Sequence, residues 1–307
     1  MWRYSTLAAA LLTAAPAQDG RFVGRWDITI QGEGRTLPSW LEVDRSGNEA
    51  LVGRFVAVVG SARPVSRVEV SGDTLRFAIP PQWEGGSGDL SVAGHLAGDS
   101  AHMAGTITFP DGKQYPWTAV RAPELRRTGT PAWGSPVRLF DGKSLAGWRT
   151  EGGAANQWEA ANGVLRSPRS GANLVTERAF GDFRLHIEFR FPKGSNSGIY
   201  LRGRHEVQVE DDETLASASH RFSGVYGFIA PSENVSRGPG QWQSYDITLV
   251  GRMITVVANG KRVICDQEIP GITGGALDSN EGEPGPLLLQ GDHGPIEYRN
   301  IVLTPAR

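Results

Sequence analysis

Apolar and polar residues alternate with a period of two along most of this chain, and runs with a helical period are scarce beyond its first residues. Between Gly24 and Val120 the alternation predicts eight strands: Arg25–Gln31, Ser39–Asp44, Ala50–Val58, Val65–Val70, Thr74–Ile79, Gly88–His95, Ala101–Phe109 and Gln114–Val120. Turn pairs such as Ser46-Gly47, Ser71-Gly72 and Asp111-Gly112 separate them. Short strands with short connections suit a closed up-and-down β-barrel or a small sandwich. From Val137 onward strands are predicted at Gly163–Ser167, Phe183–Phe191, Ser197–Arg202, His205–Glu210, Trp242–Val250, Met253–Ala258, Lys261–Cys265, Pro286–Gln290 and Ile296–Leu303. Asn259-Gly260 is the strongest hairpin turn among them. This second set predicts two packed antiparallel sheets in a jelly-roll β-sandwich. The fold class is therefore all-β, with a barrel-like domain over residues 20–123 and a jelly-roll domain over residues 135–307. Between them, Arg121–Pro136 holds Pro123, Gly129, Pro131, Gly134 and Pro136 with no apolar period, and reads as a linker.

The segment from Asn196 to Glu210 has the most informative alternation. Ile199, Leu201, Val207 and Val209 fall on one side, and Tyr200, Arg202, Glu206, Gln208 and Glu210 on the other, with Gly203 at the reversal. That is a hairpin with one face in a core. Its other face carries a phenol, a guanidinium, carboxylates and an amide, and lacks the Lys, Thr and Ser of an ordinary solvated sheet. Such a face offers donors and acceptors suited to sugar hydroxyls. Leu185, Ile187, Phe189 and Phe191 alternate with His186, Glu188 and Arg190 in the same way, so neighbouring strands are expected to build one concave polar surface.

Composition narrows the classes. The chain has 307 residues, room for two domains, and 31 basic against 33 acidic residues. No broad basic surface invites nucleic acid or anionic lipid. Arg3, the apolar run Leu7–Leu12 and Ala15-Pro16-Ala17 read as a cleavable export signal over residues 1–17, too short to span a bilayer. The alternative is a buried N-terminal helix. Export implies a periplasmic or secreted protein, but Cys265 is the only cysteine, so no internal disulfide forms and the β cores carry the stability. Oligomeric state is not encoded in any of these patterns.

Gly24-Arg25-Trp26 resembles the Gly-x-Trp start of lipocalin-like barrels, and Trp26 is expected to fill one end of the first domain. A longer resemblance lies in the second domain. Leu139-Phe140-Asp141-Gly142-Lys143-Ser144-Leu145, Gly147-Trp148, Asn196-Ser197-Gly198-Ile199-Tyr200, Glu206-Val207-Gln208-Val209, Gly224-Val225-Tyr226, Asn259-Gly260, Leu289-Gln290-Gly291-Asp292-His293-Gly294 and Tyr298-Arg299-Asn300-Ile301 follow in order. Together they resemble the 3-keto-disaccharide hydrolase domain family, whose fold is similar to the concanavalin A-like jelly roll. One departure is Gln241-Trp242-Gln243, where the family more often has Glu-Trp-Asn.

The resemblance implies cleavage of glycosides whose C3 hydroxyl has been oxidised to a ketone. A C3 carbonyl acidifies the C2 proton, and a base can remove it so that the C1 substituent leaves by elimination; hydration of the enone completes a net hydrolysis. This route needs a tuned base, a donor for the enolate oxygen and a proton source for the leaving oxygen. Glu206 is the first acid/base candidate, with an ion pair to Arg202 or Arg204 as the competing role. His293, in a glycine-flanked loop, is the second, and Arg202 is the candidate enolate clamp. Asn196, Tyr200, Gln208, Tyr226 and Gln290 read as substrate-positioning groups, with Glu188 beside them. The run Glu210-Asp211-Asp212-Glu213 is a solvated loop or, since hard cations favour clustered carboxylates, a calcium site. No zinc motif or phosphate loop is present, and His95 and His102 read as ordinary barrel residues. The competing function is a noncatalytic carbohydrate-binding protein. An ordinary paired-carboxylate glycosidase is disfavoured because no Glu-x-Asp-x-x-Glu strand occurs.

Overall fold

The computed structural model describes residues 18–47, 50–127, 129–211 and 217–307. The expected export signal and Asp212-Glu213 of the acidic run lie outside the described residues. Among those described, β1 (Gly24–Gln31), β2 (Thr36–Ser46), β3 (Ala50–Val56), β4 (Arg63–Ser71), β5 (Thr74–Ile79), β6 (Leu90–Leu96), β7 (His102–Thr108) and β8 (Gln114–Arg121) pair in sequence order and close into a barrel. Closure removes the free sheet edges that an open sheet would present. The inward residues include Trp26, Ile28, Phe55, Phe77 and Trp117, which fill the barrel as a packed core. Gly94 makes room for Trp117, whose ring a methyl at that position would strike. Trp26 donates its indole N–H to the Phe22 carbonyl at 2.9 Å, and the Arg121 guanidinium stacks 3.8 Å over its ring.

The remaining strands are β9 (Val137–Arg138), β10 (Trp148–Glu151), β11 (Glu159–Ala161), β12 (Val164–Ser167), β13 (Asn173–Phe180), β14 (Phe183–Arg190), β15 (Asn196–Leu201), β16 (His205–Glu210), β17 (Gln243–Val250), β18 (Met253–Ala258), β19 (Lys261–Glu268), β20 (Gly285–Leu289) and β21 (Ile296–Pro305). They form two sheets, ordered β10-β13-β20-β15-β16 and β11-β12-β21-β14-β17-β18-β19, with β9 paired to β21. Apolar residues from both sheets, among them Ile199, Val207, Phe189, Tyr245 and Leu303, meet in one core between them. The sequence reading omits β9, β10 and β11, which are too short to show an alternation, and β13, whose alternation is broken by a register shift between Val175 and Ala179.

Barrel and sandwich are packed against each other. Trp40 and Val56 of the barrel share an apolar cluster with Ile272 and Ala276, and Trp40 meets Phe228 edge-on at 5.4 Å. The Gly275 amide donates to the Val58 carbonyl at 2.9 Å. Gly274 lies against Gly60 so closely that any side chain there would strike the Gly60 carbonyl.

A buried polar cluster runs along the same interface. Arg252 forks onto both carboxylate oxygens of Glu281, at 2.7 and 2.6 Å, and donates to the Pro123 carbonyl at 3.2 Å. Asp27, on β1, is buried within reach of the Glu281 charge, and burial together with that charge pushes its carboxyl up to about 9. A buried carboxyl raised that far stays protonated at neutral pH, so folding takes up a proton at Asp27. Its folded value lies above the unfolded value of about 4, so its contribution is complete below pH ~4 and is lost as pH rises toward 9. Asp27→Asn keeps a neutral polar side chain of the same size without the proton uptake. Urea unfolding should show the variant gaining on the wild type by roughly 3–4 kcal/mol between pH 5 and pH 8. Parallel pH dependences for the two proteins would contradict proton uptake at Asp27.

Candidate active site between barrel and sandwich

The polar face of the β15–β16 hairpin is roofed rather than open to water. All six residues of β16 are buried. Val207 and Val209 point into the sandwich core, while Glu206, Gln208 and Glu210 line a cavity of about 520 Å³ on the other side. Asn196 and Tyr200 of β15 join them, with Asn173 at the start of β13 and Gln290 just after β20. The roof comes from three places: His220 and Tyr226, the Gly274-Gly275 turn, and the barrel residues Val59, Gly60 and Trp83. The opening is rimmed by the exposed residues Asp292, His293, Val59 and Trp83.

Glu206 is 3% exposed and lacks the arginine partner that the sequence leaves open. Arg204 bonds Asp278 at 2.6 Å and the Glu283 carbonyl at 2.7 Å instead. The Glu206 carboxyl leans across Gly198, where a methyl would collide with it. Glycine inside a strand weakens the sheet, and here it provides the space for the carboxyl group. Burial pushes Glu206 up to about 8, against the opposing pull of the Tyr200 hydroxyl and the positive charge of His293.

Tyr200 stands 3.0 Å from Glu206 Oε2 and 3.0 Å from the Gly274 carbonyl, yet its hydroxyl has one proton. When Glu206 is ionised the phenol donates to it. When Glu206 is protonated, it can donate to the phenol oxygen while the phenol donates to Gly274. Both states of the carboxyl are thus hydrogen-bonded. His293 Nδ1 lies 2.6 Å from Asp292 Oδ1. That hydrogen bond raises the imidazole above its ordinary value, with Glu206 and Glu210 adding to the rise. Glu206 and His293 therefore line one cavity and feel each other's charge.

Asn196 donates to Glu210, whose other oxygen accepts from the Asp211 amide at 3.0 Å. Gln208 Oε1 accepts from the Val209 amide at 3.1 Å. The Gln290 side-chain oxygen is buried with no hydrogen-bond partner, a cost that a ligand donor would remove. Tyr226 stacks on His220 at 4.6 Å, and burial, then the Glu206 charge, raises its phenol.

Two expected site residues lie elsewhere. Arg202 occupies the hairpin turn with φ 53°, which takes it out of the strand alternation. Its guanidinium is consumed by the Gly181 carbonyl at 3.0 Å, Asp182 at 3.0 Å and the Gly251 carbonyl at 2.8 Å. It is therefore a buried brace and does not reach the cavity. Glu188 sits on β14 in the other sheet, bonded to Arg299 at 2.6 Å and Asn300 at 2.8 Å. Period-two alternation assigns a face of a strand but does not say which sheet the strand joins. Sequence reasoning omits Asn173, His220, Val59, Gly60 and Trp83, which no local pattern connects to the hairpin. Among the described residues no group of three or more His, Cys, Asp or Glu side chains is disposed to hold a metal ion.

Tyr200→Phe removes the hydrogen bond that favours ionised Glu206, so the Glu206 titration should move above about 8. Carboxyl-carbon NMR across pH 5–10 reads this directly. A titration that stayed in place or fell would sink the assignment of Tyr200 as the carboxylate's donor.

Residues 135–304 match the 3-keto-α-glucoside-1,2-lyase-like domain. A 3-keto-disaccharide hydrolase from Bacteroides thetaiotaomicron is 28% identical over 87 residues, a stretch covering 25% of this chain and 30% of that protein. The chain thus spans under a third of that relative's length. A crystal structure of a glycosyl hydrolase candidate from Parabacteroides distasonis is 27% identical, with 60% of this chain and 96% of that one covered and a TM-score of 0.48. A β-glucanase from Bacillus licheniformis is 12% identical, with 59% and 100% covered and a TM-score of 0.36. The family match takes in more than half of the chain and runs through the hairpin, Tyr226 and His293, and the chain belongs to the 3-keto-α-glucoside-1,2-lyase-like domain family.

Proposed function

We propose that this protein cleaves 3-keto-glycosides by removing the C2 proton, expelling the C1 substituent and hydrating the resulting enone. The observation that carries this reading is a carboxyl group, Glu206, buried in a polar cavity and raised to about 8. A carboxylate with that affinity for protons is a far better base near neutrality than an exposed one, and general bases work best when matched to the working pH. The family match and the name of the Bacteroides relative support the choice of substrate.

In this reading ionised Glu206 takes the C2 proton. The electron pair moves to the C3 carbonyl oxygen, giving an enolate. Arg202 is excluded as its clamp by geometry, so the amides of Gln208, Gln290 and Asn173 and the Tyr226 hydroxyl are the available donors in the cavity. The enolate collapses, the C1–O bond breaks, and protonated His293 gives the leaving oxygen its proton. The neutral imidazole then takes a proton from water as that water adds to C1, and Glu206 returns its proton to C2. Protons balance, and the net result is hydrolysis. Asp292 keeps His293 protonated for the first half of the cycle.

The test compares a 3-keto-glucoside with its unoxidised parent. The ketone should be consumed and the parent left intact, because an unactivated C2 proton is far too weak an acid for either group. Deuterium at C2 should slow the reaction or exchange with solvent. Glu206→Gln should lose about 10²–10⁴-fold in turnover together with the exchange. Efficient cleavage of the parent without a C2 isotope effect would restore the paired-carboxylate route. Retention of the keto sugar unchanged would make the protein a carbohydrate-binding module.

A further inference from the structure

We infer that the barrel supplies a second binding subsite, in which Trp83 presents its indole to a flat, C–H-rich ring on the leaving-group side of the substrate; this rests on the reading of the cavity as a glycoside site. Three large hydrophobic residues stand exposed among those described: Val59, Trp83 and Val120. Two of the three, Val59 and Trp83, line the same cavity. Trp83 is 68% exposed, an unusual place for the largest apolar side chain.

Its loop is nonetheless tightly held. Glu84, with a side chain only 5% exposed, accepts from the Arg63 guanidinium at 2.6 Å, the Gln82 amide at 2.8 Å and the Trp83 amide at 3.2 Å. Arg63 also donates to the Pro80 carbonyl at 2.8 Å. Gln82 bonds Ser61 through both ends of its side-chain amide, at 3.1 and 2.9 Å. Gly60, with φ +84°, brings bare backbone beside the indole, and a methyl there would lie 2.7 Å from Trp83 Cδ1. The backbone around the indole is therefore fixed while most of the side chain is left to solvent. A ring held this way binds at little entropic cost.

The cavity has a chemical gradient that assigns its ends. Glu206, Gln208 and Gln290 are buried on its floor, while Val59 and Trp83 are exposed at its mouth. The oxidised ring belongs on the floor, where the base and the amides are. The substituent leaving from C1 then points toward the mouth. An aromatic face there prefers the C–H face of a pyranose or an aryl ring over a small alkyl group. The family match starts at residue 135, so this subsite lies outside it, and the barrel becomes a determinant of leaving-group selectivity.

The full chain, Trp83→Ala and Trp83→Phe are compared on three 3-keto-glucosides that share the oxidised ring and differ at C1: glucosyl, phenyl and methyl. In Trp83→Ala the ratio of kcat/KM for the ring-bearing compounds over the methyl compound should fall about tenfold, and Trp83→Phe should recover most of it. A fall with the glucosyl compound alone identifies a sugar ring as the occupant; a fall with phenyl alone identifies an aryl group. An unchanged ratio overturns the inference. Calorimetric binding of the same compounds separates it from the proposed reaction. If the wild type turns over none of them but Trp83→Ala weakens glucosyl or phenyl binding about tenfold, the reaction is wrong and the subsite stands. If neither turnover nor binding depends on Trp83, the subsite is wrong.

Discussion

The contact on which the rest depends is the approach of two backbones, Gly60 in the barrel and Gly274 in the sandwich, with the Val58–Gly275 hydrogen bond beside them. No side chain larger than hydrogen fits at Gly274. That closeness lets a barrel loop lie over the polar face of the β15–β16 hairpin. The face then leaves bulk water, and the electrostatics follow. An exposed glutamate would titrate near 4, whereas Glu206 under this roof is raised to about 8. The same turn offers the Gly274 carbonyl to Tyr200 and so completes the bonding of the protonated carboxyl. The buried Asp27–Glu281 pair is a second consequence of joining the two units, since its partners come from opposite sides of the interface.

The Glu206 site illustrates a trade between stability and reactivity. A carboxyl that must ionise inside a cavity costs free energy that an apolar residue would not. The structure limits that cost by giving both protonation states a hydrogen bond through Tyr200. It also keeps the arginines away. Arg202 and Arg204 flank the hairpin turn, and either one placed beside Glu206 would pull it back into the ordinary range. Each is engaged elsewhere, Arg202 by Asp182 and backbone carbonyls, Arg204 by Asp278. The positive charge left near the carboxyl is His293, which can itself gain and lose a proton. A fixed charge would hold Glu206 as a permanent anion, whereas a titrating neighbour leaves both groups able to exchange protons.

The barrel has its own lesson. Its interior is filled by Trp26, Trp117, Phe55 and Phe77, so the resemblance of its first strand to ligand-carrying barrels does not extend to a hollow core. Its contribution is made from outside. Trp40 anchors it to the sandwich, and its loops carry Val59, Gly60 and Trp83 to the cavity. The barrel thus acts as a wall of the site.

Local chemistry in the chain determined the strands, because a half-buried strand must alternate and a hairpin needs residues that tolerate positive φ. The barrel strands, the β15–β16 hairpin and its division into an apolar and a polar side were legible for that reason, and Glu206, Gln208, Tyr200 and Asn196 with them. β13 was not, because a register shift interrupts its period. The face assigned to Arg202 failed because the turn, not the strand, governs that residue's φ. Glu188 failed because alternation does not encode which sheet a strand enters. Trp83, more than a hundred residues before the hairpin, has no local signature of its role. Only tertiary structure decided that the polar face would be covered, which arginines would be drawn off, and hence which carboxyl would hold its proton near neutrality. Desolvation and charge proximity are properties of what surrounds a group in space, and a linear pattern specifies only what surrounds it along the chain.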